Sequence, residues 1–179
     1  MVFLETKRLL FRSHEPKDQA DFVAMHTDPE VRRYVGGPAW SPEKTQTRFR
    51  EEYLGRPTGT YGLWATILKE DGKYIGCCGL RAAEVEREAH LGYYLARPYW
   101  CRGFATEASR AFIDAAFTRL GIVRLLADVE KGNSASEHIL EKFGFRYVSQ
   151  EVIRSSGRII LLYDLVKTGW QKKPIPHHY

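Results

Sequence analysis

At 179 residues, 44% of them apolar, the chain can bury roughly 70% of its unfolded surface in one core, so neither a disulfide nor a metal is needed to hold it together. The cysteines agree: Cys77 and Cys78 are adjacent, Cys101 is alone, and no Cys or His pair has zinc spacing, so no metal is expected and a reducing, cytoplasmic setting is. No apolar run nears the roughly 18 residues of a membrane span, and the net charge of +5 is scattered without an RNA-binding signature, which argues against a membrane or a nucleic acid as partner.

Residues 8–12 read as a first strand. His14 to Asp18 then opens a helix, with Pro16 tolerated in its first turn and Ala20, Val23 and Ala24 on one face. Asp28-Pro29 and Ser41-Pro42-Glu43 each put a capping side chain ahead of a proline at the first helical position, so two more helices begin there. They leave Tyr34, Trp40, Phe49 and Tyr53 either for the core or for a pocket. After the break at Gly55-Arg56-Pro57-Thr58-Gly59, residues 61–68 and 74–81 form a hairpin around Asp71-Gly72.

A charged connection, residues 84–88, leads into a strand over 89–95. Then come Trp100-Cys101-Arg102-Gly103-Phe104-Ala105 and an amphipathic helix over 106–120, stopped by Gly121. Strand, Gly-containing turn, helix is the order of an anion site, because the first N–H groups of a helix lack intrahelical partners and the helix dipole favours negative charge there. The crossover allows the next strand, 124–129, to lie parallel to 89–95. A helix after Asn133-Ser134-Ala135-Ser136 and two strands, 146–153 and 158–166, complete one domain over residues 1–179. Residues 167–179 read as a flexible or contact-forming tail.

Several of these segments carry a family pattern. Tyr99-Trp100, Gly103, Ala105-Thr106-Glu107-Ala108, the pair Asn133 and Ser136, and Lys142-Phe143-Gly144-Phe145 together resemble the GNAT superfamily of acyl-CoA N-acyltransferases, within it the RimJ/RimL-type branch. The family signature Gln/Arg-x-x-Gly-x-Gly/Ala is met by Gly103 and Ala105, while Trp100 stands at its first position. The likeness runs to about Val166 and implies an α/β (α+β) fold: a central, mixed, mostly antiparallel, splayed sheet with helices on both faces.

It also implies a site. Acetyl-CoA would insert between the splayed fourth and fifth strands, its pantetheine pairing with the backbone of Leu95 and Ala96 and with Asn133. Its pyrophosphate would rest on the N–H groups of Arg102, Gly103, Phe104, Ala105 and Thr106, and Lys142 joins the cofactor set through the family pattern. An N–H around Leu91 or Gly92, where the family carries a bulge, would polarise the thioester. Where relatives often have Glu, this chain has His90, either a base for the amine or a structural histidine. Where many have Tyr as acid, it has Leu140, which leaves Ser136 to assist the thiolate, or to cap or pack, with Ser134 the nearer helix cap. Tyr34, Trp40 and Tyr93 are assigned to the acceptor pocket.

The implied activity is acetyl transfer to a primary amine by direct attack, with a protein N-terminal α-amine as one acceptor and a homodimer as one assembly. An α-amine is favoured by the lack of an evident carboxylate base, because deprotonating lysine at pH 7 costs roughly 3 kcal/mol more. The alternative is an acyl-CoA-binding sensor or interaction protein without efficient turnover. A ribosome- or RNA-associated binding protein rests on charge alone.

Overall fold

The structure, a computed structural model, describes residues 2–170. Eight strands form one sheet: β1 (Val2–Glu5), β2 (Leu9–Arg12), β3 (Gly62–Leu68), β4 (Tyr74–Ala82), β5 (Glu88–Leu95), β6 (Arg124–Glu130), β7 (Arg146–Ile153) and β8 (Arg158–Val166), in the order β1-β2-β3-β4-β5-β6-β8-β7. Every pairing is antiparallel except β5 with β6, which the crossover helix α4 (Phe104–Thr118) joins in parallel. The sequence reading has seven of these strands. β1 escapes it because four residues give too short an alternation to register; it folds back on β2 around Thr6, whose N–H donates to Leu9 O at 2.8 Å.

The two faces of the sheet are covered differently. On one, α4 lays down Phe104, Ala108, Phe112, Ile113, Ala116 and Phe117, residues at helical spacing that pack on Trp64, Cys78, Leu91 and Leu125. α5 (Ser134–Lys142) adds Leu140 to the same core. On the other face, α1 (Gln19–Thr27), α2 (Pro29–Arg32) and α3 (Pro42–Arg48) enclose Phe22, Met25, Val31 and Phe49 against Ala65, Ile67 and Tyr74. Both expected caps form: Asp28 Oδ1 accepts from Glu30 N at 2.9 Å, and Ser41 Oγ from Lys44 N at 3.2 Å. A buried, two-pronged ion pair anchors this layer to the sheet, Arg12 Nη1 and Nη2 each lying 2.7 Å from an oxygen of Asp18.

Two boundaries differ from expectation. α4 begins at Phe104, two residues early, because Gly103 takes the left-handed conformation (φ 76°) that turns the chain into the helix. Lys167 to Trp170 belong to the folded body: Lys167 N donates to Val123 O at 2.9 Å, and the Trp170 indole donates to Asp114 Oδ1 at 3.2 Å while packing on Phe117 and Phe143. The rest of the expected tail, residues 171–179, lies outside the described residues.

Candidate active site

The site is built on a ladder that stops early. β5 and β6 share three rungs, Glu88↔Arg124, Ala89↔Leu125 and His90↔Leu126, and then part, leaving Leu91 to Leu95 without a neighbour on that side. Alternation in the β4–β5 ladder decides which backbone groups face the gap. Ala96 N donates to Ile75 O and Ala83 N to Glu88 O, so even-numbered residues turn their N–H and C=O toward β4 and odd-numbered ones toward β6. With the last rung at His90↔Leu126, the first N–H facing the gap without a strand partner is that of Tyr93, followed by Leu95.

That geometry corrects three expectations. Pairing with β4 runs unbroken from Gly76↔Leu95 to Ala82↔Ala89, so β5 has no bulge at Leu91 or Gly92, and the Gly92 N–H is turned to β4. Ala96 is likewise committed to Ile75. The Leu95 carbonyl accepts from Trp100 Nε1 at 2.7 Å. Trp100, which stands at the first position of the pattern that Gly103 and Ala105 complete, thus ties the turn before α4 to the end of β5.

A cleft of about 400 Å³ opens along the parted strands and reaches the N-terminus of α4, where Gly103, Phe104, Ala105 and Thr106 line it. Glu107 N already donates to Gly103 O at 3.0 Å, so the Phe104, Ala105 and Thr106 N–H groups are those with no intrahelical acceptor. The turn is braced from below. Glu107 accepts from Thr6 Oγ1 (2.6 Å), Arg8 N (2.9 Å) and Arg8 Nε (2.6 Å), and Arg8 Nη1 donates to Arg102 O at 3.0 Å. Burial pushes the Glu107 carboxyl up, the Thr6 and Arg8 hydrogen bonds pull it down, and the balance lies below its ordinary value. Arg102 is outside the cleft lining; its guanidinium rests over Phe104, 5.1 Å from the ring centre.

The first turn of α5 forms the opposite wall. Asn133, not Ser134, is the cap, its Oδ1 accepting from Ser136 N at 3.3 Å. Ser136 and Tyr93 come together here. The Tyr93 hydroxyl is buried without a well-aligned hydrogen bond, the Ser136 side chain is its polar neighbour, and burial pushes the phenol up to about 12. Leu140 lines the inner end of the gap, where it offers no proton. Lys142 ends α5 on the surface, outside the cleft: eight residues of helical rise put it about 12 Å from Ser134.

A smaller cavity of about 90 Å³ continues past Tyr93, Tyr94 and Tyr34 to Arg81, Asp128 and Glu130. Asp128 is the carboxylate that sequence reasoning missed. It occupies the face of β6 shared by Leu126 and Glu130, beyond the last β5–β6 rung, and lines the smaller cavity. His90 does not line either space; its Nδ1 lies 3.1 Å from Asp128 Oδ2, close enough for an ion pair but not aligned as a hydrogen bond. Arg81 Nη2 reaches the same oxygen at 3.3 Å. The case for an α-amine over lysine, which rested on the lack of a carboxylate here, loses its premise. Tyr34 lines both spaces, whereas Trp40 lines neither: it stacks on His26 at 5.1 Å beneath the guanidiniums of Arg32 (4.2 Å) and Arg48 (4.3 Å).

Known proteins place this arrangement. The profile of the acetyltransferase (GNAT) domain matches residues 8–146. The chain is 33% identical over 166 residues to the uncharacterized protein YkkB of Bacillus subtilis (strain 168), covering 90% of this chain and 94% of the relative. It is 31% identical over 168 residues to the uncharacterized N-acetyltransferase p20 of Bacillus licheniformis, with 91% and 94% covered. In architecture it matches a GNAT-family acetyltransferase from Bacillus anthracis (TM-score 0.82, 22% identity, 94% and 99% covered) and RimL, a ribosomal L7/L12 α-N-protein acetyltransferase solved with coenzyme A (TM-score 0.75, 15% identity, 94% and 99% covered). A parted parallel pair, a helix N-terminus at the mouth of the gap and this extent of family match lead to one statement: the chain belongs to the GNAT family of acetyltransferases.

Proposed function

We propose that this protein is an acetyl-CoA-dependent N-acetyltransferase of the RimJ/RimL type, acting on a primary amine, protein N-terminal α-amines among its acceptors. One observation carries the reading: a cleft joins the partnerless N–H groups at the start of α4 to the edge of β5 at Tyr93, and a smaller cavity continues from there to the carboxylate of Asp128. The residues fit the group. Phe104, Ala105 and Thr106 present N–H donors to an anion at the positive end of a 15-residue helix. Tyr93 and Leu95 offer strand-edge pairing to an extended arm, and Asn133 stands across the gap from them.

Acetyl-CoA supplies a thioester acyl group, activated for attack by a neutral amine. The chain supplies the remainder. The Tyr93 N–H donates to the carbonyl oxygen where negative charge develops. Tyr93, whose raised pKa keeps its hydroxyl neutral, and Ser136 beside it stabilise the departing sulfur by hydrogen bonding. Asp128 receives the amine, and His90 and Arg81 both contact that carboxylate, Arg81 from within the small cavity and His90 from outside it; His90 therefore acts through Asp128, not on the acceptor directly.

The test is thiol release from acetyl-CoA across N-terminal peptides, lysine peptides, polyamines, aminoglycosides and free amino acids, with the product located by mass spectrometry. Acceptor-dependent release with a mass gain on an amine is expected. A folded protein that neither binds acetyl-CoA nor releases thiol with any acceptor refutes the reading.

A further inference from the structure

The smaller cavity has two unlike sides, and alternation along its strands explains them. Successive strand residues point to opposite faces of a sheet, so a space set in the gap between β5 and β6 meets odd-numbered side chains on one face and even-numbered ones on the other. Leu91, Ala127 and Val129 are the odd-numbered ones, joined by Leu140 from α5, and all four are at most 6% exposed and belong to the core under α4 and α5. On the other face stand Tyr94, Asp128 and Glu130, with Arg81, the partner of His90 in the β4 ladder. Every charged residue lining this cavity is therefore on the α1–α3 face, while Glu30 and His138 line only the larger cleft. The α5 side is hydrocarbon up to Tyr93 and Ser136.

Tyr93, Asn133 and Ser136 line both spaces and mark where they meet. A thioester whose carbonyl takes the Tyr93 N–H is held at that junction, with the acyl chain and the incoming amine both on the side of the smaller cavity. Their polarity sorts them. The chain gains by entering the hydrocarbon side, where apolar surface leaves water, and the amine finds its acceptor at Asp128 on the other. Room is not limiting: roughly 10–15 Å³ admits one water-sized group, and the cavity offers about 90 Å³. An acetyl methyl leaves most of that space empty, and an apolar recess holds water poorly.

We propose that the side of the inner cavity formed by Leu91, Ala127, Val129 and Leu140 is an acyl-chain pocket, and that the preferred donor is a short straight-chain acyl-CoA longer than acetyl-CoA, propionyl-CoA first. This rests on the acetyltransferase reading and names its donor class. The bonds made and broken are the same: the amine nitrogen bonds to the acyl carbon and the carbon–sulfur bond breaks. The amide keeps the longer chain, and CoA leaves as its thiol with the proton the amine gives up. Ala127, the smallest of the four, leaves the width that a larger residue would take.

Calorimetry on the full chain without acceptor gives Kd for acetyl-, propionyl- and butyryl-CoA, and thiol release with one fixed acceptor gives kcat/KM for each. Propionyl-CoA should bind about fourfold more tightly than acetyl-CoA, the worth of one buried methylene, and its kcat/KM should be at least equal. Ala127→Val takes up the room and should make acetyl-CoA the tighter of the two, whereas Val129→Ala adds room and should move the optimum to butyryl-CoA. A parent that binds propionyl-CoA no more tightly than acetyl-CoA overturns the proposal, as does an Ala127→Val protein with the parent's ratio. Should Ala127→Val fail to fold, the parent series and Val129→Ala still decide, and an unchanged order of donors in Val129→Ala overturns it equally. Failure to bind any of the three refutes the acetyltransferase reading and the pocket with it; ready binding of acetyl-CoA with exclusion of the longer chains refutes the pocket alone.

Discussion

Gly103→Val tests the anion site at the start of α4 most directly. At φ 76° and ψ 4° the residue is left-handed, which costs an L-amino acid about 1–2 kcal/mol, a β-branched one toward the upper end. Its Cβ would lie 3.4 Å from Arg8 Nη2, a contact at the edge of ordinary van der Waals range that leaves the Arg8 bonds to Glu107 and Arg102 O in place, so the folding penalty is about 2 kcal/mol, or roughly 4–8 °C in Tm without ligand. The branched side chain also screens the Phe104, Ala105 and Thr106 N–H groups. Losing one charge-assisted hydrogen bond costs about 1.5–3 kcal/mol, so the Kd for CoA should rise about 10- to 150-fold. Gly121→Val is the control: Gly121 is equally left-handed (φ 71°), nothing lies within 4 Å of its added Cβ, and it follows the other end of α4. Calorimetric titration with CoA at fixed ionic strength, paired with melting curves, separates the two effects. The reasoning fails if a folded Gly103→Val binds CoA within threefold of the parent, or if Gly121→Val weakens binding as much.

Tyr93→Phe should lower kcat about 10- to 100-fold by removing a hydrogen bond to the leaving sulfur, with the KM for acetyl-CoA little changed; because burial holds this phenol near 12, no alkaline limb below pH 10 should vanish with it, and a lost limb would show that the phenol ionises in the working range. Ser136→Ala should lower kcat more than cofactor affinity and Asn133→Ala the reverse, and equal small effects on both would reject that division of roles. Asp128→Asn should cut kcat/KM for the amine at least 10²-fold, and His90→Ala should cut it less while moving the acidic limb of the pH profile; an unchanged profile in both variants would place the base elsewhere. Glu107 titrates below its ordinary value in the folded protein, so the stability it confers is present above the unfolded carboxylate pKa of about 4.3 and is lost as pH falls through the lower folded value. The Tm gap between the parent and Glu107→Gln should therefore close as pH drops below about 4, and a gap independent of pH would contradict the assigned cause. Asp18→Asn leaves Arg12 buried without its partner and should cost about 3–5 kcal/mol in chemical denaturation.

Local signals in the chain were enough for much of this. Alternation over 61–68 and 74–81 with Asp71-Gly72 between them specifies a hairpin, Asp28-Pro29 and Ser41-Pro42 specify helix starts, and Gly103 ahead of an amphipathic run specifies a strand-turn-helix with free N–H groups at its mouth. Such features depend on residues a few positions apart, so the sequence carries them whole. Which backbone groups are free depends instead on how far apart two strands run, and no local pattern encodes that. Tyr93 rather than Gly92 faces the gap because the β4 ladder keeps an unbroken register while the β6 ladder stops at His90. Asp128 reads in sequence as one more alternating strand residue; it lines the inner cavity beyond the last β5–β6 rung, whereas His90, which contacts it, lines neither space. Lys142 and Trp40 leave the site for the same kind of reason. A helix of nine residues carries Lys142 past the end of the cleft, and His26, Arg32 and Arg48 draw Trp40 into a stack behind it.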